Sequence, residues 1–156
     1  MSIDLKDRHE FQDRRAIIVS KDDKNSSCEH CAKNTIKDDG KRSLIRKFKI
    51  DDDIIVEGNK CDFMILNDDL NNAYLIELKG NDINHAIDQL EETYNKINAV
   101  LRGYEFFFRI VYKGNARVVK NPKVIRWQET CKKRVKNKSN LMNVTIIKNR
   151  KIEENI

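Results

Sequence analysis

The sequence is nearly without proline, Pro122 being the one instance, and it contains no internal repeat. No apolar run approaches the roughly 20 residues needed to span a bilayer, so no membrane partner is expected. The opening stretch Met1 to Glu10 has no hydrophobic signal core, which makes a cytoplasmic location the expectation. Cysteine is confined to Cys28, Cys31, Cys61 and Cys131. In such a compartment these are expected as reduced thiols rather than disulfides. What is present is a charge-rich chain of 156 residues, 39% hydrophobic and 36% charged. That length supports one core and is too short for two full-sized ones. A single domain is expected over residues 1–156, with its core at about 43–150 and residues 1–42 as an N-terminal extension.

The net charge of +6 is unevenly spread: residues 1–70 carry 14 basic and 16 acidic side chains, residues 71–156 carry 17 and 9. From Arg117 to Lys138 there are nine Lys or Arg residues against a single acid, Glu129. A stretch of that density suits a polyanion and points to nucleic acid as partner, with Lys132, Lys133, Arg134 and Lys136 as candidate contacts. The competing reading is a solvated helix face.

Residues 4–19 suit a short amphipathic helix, although Ala16 to Val19 also suits a strand, and the polar residues 20–42 read as a long loop with partial helix. Strands are expected at Ser43–Ile50 and Ile54–Glu57, separated by an Asp51-Asp52-Asp53 turn. Two further strands, Cys61–Leu66 and Ala73–Lys79, flank the Asn/Asp-rich turn Asn67–Asn72, a hairpin signature. After Gly80, Asn81 or Asp82 is placed to cap a helix. Ile83, Ala86, Ile87, Leu90, Tyr94, Ile97 and Leu101 then recur at helical spacing, with Gly103 as a stop. Glu105–Tyr112 is the strongest strand signal. Strand, helix and strand at this spacing imply a parallel crossover. Asn121-Pro122 opens a second helix through about Lys136, burying Val124, Trp127, Cys131 and Val135, and Asn143–Lys148 is expected as the final strand. The fold class is α/β.

Symmetric folding of the hairpin sets Leu66 opposite Ala73 and Asp62 opposite Glu77, with Cβ atoms roughly 4.5–5.5 Å apart. Strand alternation returns Lys79 to the face of Glu77. Two carboxylates in contact repel, and a divalent metal between them removes the conflict. The alternative is an exposed surface ion pair between Glu77 and Lys79, which sits poorly at the end of the apolar Tyr74-Leu75-Ile76.

Asp on one strand with Glu-x-Lys on the next, followed by a helix and a strand, resembles the PD-(D/E)xK nuclease superfamily, over roughly Ile54 to Tyr112. Cys61 stands where that motif often has proline. The resemblance implies a restriction-endonuclease-like mixed sheet flanked by helices, an αβββαβ core, and a Mg²⁺-dependent endonuclease. Asp62, Glu77 and the Leu78 carbonyl would hold Mg²⁺, with Mn²⁺ as a substitute, and Lys79 would stabilise charge at phosphorus. DNA is the expected substrate ahead of RNA or a branched junction, in restriction, phage defence or DNA processing, with a homodimer to cut both strands. Gln89, beside His85 on the helix, matches a family position that supports the metal-bound water; a solvent-facing pair is the alternative. Glu10, Glu29 and Glu57 each qualify by position as the upstream glutamate some members add. Cys28-Glu29-His30-Cys31 has one zinc-knuckle spacing but no second half. A catalytically silent module of the same architecture, binding nucleic acid or a protein, is the alternative function.

Overall fold

The computed structural model describes residues 5–21, 28–50, 54–55, 57–79, 82–113, 120–137, 143–148 and 150–156. The fold is α/β, a mixed six-stranded sheet flanked by two helices and backed by a three-stranded sheet. In chain order the elements are β1 (Phe11–Asp13), β2 (Ile17–Lys21), β3 (Glu29–Lys33), β4 (Ile45–Lys49), β5 (Phe63–Asn67) and β6 (Asn72–Lys79), then α1 (Ile83–Ile97), β7 (Glu105–Tyr112), α2 (Pro122–Lys133), β8 (Val144–Ile147) and β9 (Lys151–Asn155).

The large sheet has the order β1-β4-β5-β6-β7-β8. The hairpin register is the one the turn implies, with Leu66 opposite Ala73 and Asn67 opposite Asn72. Asn67 Oδ1 accepts from the Leu70 amide at 3.0 Å, and Asn71 takes φ +56°, a left-handed conformation that asparagine tolerates. β6 and β7 pair in parallel, Asn72 opposite Glu105 through Lys79 opposite Tyr112, as the crossover requires. Asp82 caps α1, its carboxylate accepting from the His85 amide at 3.0 Å. Asn121 caps α2 through the Lys123 and Val124 amides.

Each face of the sheet has its own core. Met64, Leu66, Ala73, Leu75, Phe106, Phe108 and Ile110 meet α1 and α2. Ile65, Tyr74, Ile76, Leu78, Phe107 and Val111 meet the smaller sheet, ordered β2-β3-β9. By alternation from Ala73 and Leu75, Glu77 and Lys79 share the helical face.

Several expectations need correction. Residues 4–19 hold no helix among those described: Phe11–Asp13 pairs with β4, and Ile17–Lys21 buries every second residue, Ile18 and Ser20. The expected leading helix of the αβββαβ order is therefore replaced by strands. The polar loop contains β3, buried between β2 and the parallel β9. Such long-range pairing overrides a weak local pattern. The described residues of the expected strand Ile54–Glu57 form none: the Ile54 and Ile55 amides both turn back to the Ile50 carbonyl, and the Asp51–Asp53 turn and Val56 lie outside the described residues. So do Gly80 and Asn81. α2 ends at Lys133 rather than Lys136, leaving Val135 half-buried. β8 is not the last strand, because the charged Lys151–Asn155 forms β9. Among the described residues no helix is long and apolar enough to cross a membrane.

Candidate active site

β6 is an interior strand, paired on both edges and covered on both faces, so its side chains are buried as a matter of position. Glu77 is 1% exposed. Burial and then the neighbouring Asp62 charge push its carboxyl well above the ordinary carboxylate range, only partly countered by Lys79. Lys79 Nζ lies 3.8 Å from Glu77 Oε2, while Oε1 is buried without a hydrogen-bond partner.

Asp62 stands just past the regular end of β5. Phe63 is opposite Ile76, and the Asp62 amide also donates to the Ile76 carbonyl at 3.1 Å. Two residues thus face one, the arrangement of a β-bulge, a device that re-aims side chains beside functional sites. Asp62 therefore does not stand directly opposite Glu77 as the hairpin symmetry implied. The Asp62 carboxylate turns across the hairpin, and its Oδ2 accepts from the Leu78 amide at 2.8 Å. The structure therefore brings Asp62 and Lys79 to Glu77.

Gln89 is half-buried on α1. Its Nε2 donates to the Lys60 carbonyl at 3.1 Å, and its Oε1 is buried without a partner. His85 is exposed, so the two do not form a matched pair at the surface. Two acceptor oxygens, Glu77 Oε1 and Gln89 Oε1, are thus buried without donors. Buried acceptors of this kind require a partner, and a hard divalent cation with its bound water supplies one. The residues present fit such an ion. They do so with two carboxylates, for among the described residues no three His, Cys, Asp or Glu side chains converge as a metal cluster.

The other sequence candidates lie elsewhere. Glu10 pairs with Lys47 at 3.1 Å, and Lys47 reaches the Val19 carbonyl on the face away from α1. Glu29 pairs with Lys21 and Lys151 on the small sheet. The Glu57 side chain is exposed. Cys28 and Cys31 are buried thiols, the Cys28 Sγ donating to the Lys79 carbonyl at 3.6 Å, and His30 is engaged with Glu154 at 2.7 Å. They form no zinc site.

The basic stretch divides into parts with different jobs. Lys132 and Lys133 are exposed, Lys132 beside Glu129 at 3.2 Å. Arg134 instead forks onto Glu91 at 2.7 and 2.6 Å and lies 4.0 Å over the Tyr94 ring. Lys136 Nζ donates to the Arg102 and Tyr104 carbonyls, and its amide to Glu105. These two hold the end of α2 to the body of the fold. Glu105 is level with Asn72, five residues from Glu77, so the cluster lies about 17 Å along the sheet from the carboxylates. Arg117 and Lys138 fall outside the described residues.

The Arg134 fork on Glu91 sets different costs for the three substitutions. Lys132→Ala with Lys133→Ala should leave the melting temperature unchanged. Adding Arg134→Ala should cost about 1.5–3 kcal/mol, the range for hydrogen bonds to charged groups, and calorimetry of the double and triple variants checks it. Equal melting temperatures would show that the fork contributes nothing.

Comparison of the chain with protein-family models, curated proteins and solved structures finds no match in any of the three.

Proposed function

We propose that the chain is a Mg²⁺-dependent endonuclease of PD-(D/E)xK type, with Mn²⁺ able to replace Mg²⁺. The observation that carries this reading is Glu77: a carboxyl in the middle of a sheet, with an unpartnered oxygen, beside Asp62 and 3.8 Å from Lys79. Burying two carboxyls and an ammonium together serves stability poorly. It serves a phosphodiester site well. The succession of β4, β5, β6, α1 and β7 is compatible with the restriction-endonuclease-like core.

Mg²⁺ held by Asp62, Glu77 and the Leu78 carbonyl would polarise a phosphate oxygen and make its bound water more acidic. The chain's own groups do the rest. The Leu78 amide fixes the Asp62 carboxylate. The Lys79 ammonium, about a quarter exposed, faces the developing negative charge at phosphorus. Gln89, its Nε2 anchored to Lys60, offers Oε1 to orient a water.

DNA is the proposed substrate, and a homodimer the proposed assembly, since one site cuts one strand of a duplex. The experiment is incubation of the pure protein with plasmid, single-stranded DNA and RNA in Mg²⁺ or EDTA. Cleavage of DNA in Mg²⁺ alone supports the reading, and cleavage confined to RNA transfers it to an RNase. Inertness towards all three favours the silent binding module, which has on its side the absence of a third converging acidic ligand among the described residues.

Lys132 and Lys133 remain candidate phosphate contacts. If they serve, Lys132→Ala with Lys133→Ala should reduce the slope of log K against log salt on duplex DNA by about 0.9 per lost contact, equally on every sequence. An unchanged slope would leave them as a solvated helix end.

A further inference from the structure

The segment entering Asp62, residues 57–61, lies outside any regular strand. Its main chain is held instead by side chains of α1. Lys96 Nζ donates to the Glu57 carbonyl at 2.9 Å, Glu92 accepts from the Asn59 amide at 3.0 Å, and Gln89 donates to the Lys60 carbonyl at 3.1 Å. The Cys61 amide donates to Thr93 Oγ1 at 2.8 Å. Residues 89, 92, 93 and 96 share one helix face. The contact is close enough that a Cβ on Gly58, at φ +85°, would stand 2.9 Å from Lys96 Nζ.

Thr93 differs from the others because it and Cys61 are both fully buried. Its hydroxyl donates to the Gln89 carbonyl at 2.8 Å, which leaves the oxygen to accept from Cys61. Its place in the helix, three residues after Leu90 and four before Ile97, is one that packing alone would give to an apolar residue. A hydroxyl buried there needs a partner, and that partner is the amide immediately before Asp62. Beyond it, Asp62 is fixed by its amide on Ile76, its carbonyl on Ile50 and its carboxylate on Leu78.

We propose that Thr93 is a positioning residue: by holding the Cys61 amide it sets how far the Asp62 carboxylate reaches across the hairpin to Leu78 and Glu77. Its importance for metal binding rests on the nuclease reading given above; the positioning itself does not.

The test is amide hydrogen exchange in the wild type, Thr93→Val and Thr93→Ser, read at Leu78, whose amide the Asp62 carboxylate accepts. The Phe108 amide, bonded to the Asn143 carbonyl at 2.7 Å, is the internal reference. Thr93→Val should speed Leu78 exchange about tenfold and leave Phe108 unchanged, while Thr93→Ser restores the wild-type rate. No change at Leu78, or an equal rise at both amides as general destabilisation would give, overturns the proposal. Should Thr93→Val not fold, Glu92→Ala, at a half-exposed position on the same tether, should raise Leu78 exchange about threefold; no rise there overturns it equally. A parallel Mn²⁺ titration separates the two ideas. A wild type that binds no Mn²⁺ while Leu78 still responds rejects the metal centre and leaves Thr93 in its role.

Discussion

Glu77→Gln should abolish metal-dependent cleavage and at the same time make the protein more stable. The amide keeps the shape of the side chain but removes the charge that burial and Asp62 oppose. Losing a ligand of the proposed metal should lower the rate by at least about 10²–10³, the range for deleting a preorganised electrostatic group. Removing a buried, poorly compensated charge should add about 0.5–2 kcal/mol, the usual gain when a strained functional group is neutralised. For a chain of this size that is a rise of roughly 2–4 °C per kcal/mol. The pH dependence follows from the sign of the shift. The folded carboxyl binds its proton more tightly than the unfolded one, whose ordinary value is 4.5. The wild-type deficit is therefore absent below that value and grows as pH rises towards the raised folded pKa. Melting curves of both proteins from pH 4 to 8 should diverge with rising pH. A variant less stable than wild type at pH 7 would mean that Glu77 is a structural ion-pair partner of Lys79.

Arg109→Ala should be the most destabilising single change away from the site, by about 3–5 kcal/mol, the cost of leaving a buried charge without its partner. Arg109 lies on β7 between the two sheets, with its side chain 7% exposed. It forks onto Glu154 of β9 at 2.8 and 3.0 Å and donates to the Phe108 and Asn143 carbonyls. His30 of β3 meets the same carboxylate at 2.7 Å. Three elements distant in sequence are joined by one charged cluster. Burial alone would raise the Glu154 carboxyl; the hydrogen bonds from His30 and Arg109 overcome it and hold the group down to about 2. A depressed folded value contributes stability that is present above the ordinary 4.5 and lost as pH falls towards 2. The gap between wild type and Arg109→Ala should therefore narrow on acidification through that window. A melting temperature unchanged at pH 7 would show that the cluster is dispensable.

What was legible in the sequence was local. The Asn67–Asn72 turn announces itself through asparagine and aspartate, and the apolar strands beside it fix the register from Asn67 opposite Asn72 to Phe63 opposite Ile76. The 3.6-residue spacing of α1 and the Asn121-Pro122 start of α2 are equally self-contained signals. β2 was legible only as the strand that Ala16 to Val19 offered as an alternative to a helix. β3 and β9 were not legible, since each is short and polar and pairs with the other across 122 residues of sequence, Glu29 opposite Lys151. Lys151–Asn155 reads as a charged tail until Arg109 and His30 are seen to neutralise Glu154. Arg134 and Lys136 read as free cations because their partners, Glu91 and the 102–104 carbonyls, lie on other elements. Thr93 had a sequence signal that was missed: a hydroxyl on the apolar stripe of α1, at a position that asks for a buried acceptor or donor opposite it. The displacement of Asp62 from the strand end could not be read from pattern, because a bulge adds a residue without changing composition.

The central claim is tested most directly by one plasmid-cleavage assay, comparing wild type with Glu77→Gln and Lys79→Ala in Mg²⁺ and in EDTA, each protein shown to be folded. The account predicts nicking or linearisation by the wild type in Mg²⁺, none in EDTA, and none by either variant. Cleavage by Glu77→Gln at the wild-type rate, or cleavage that persists in EDTA, would contradict it.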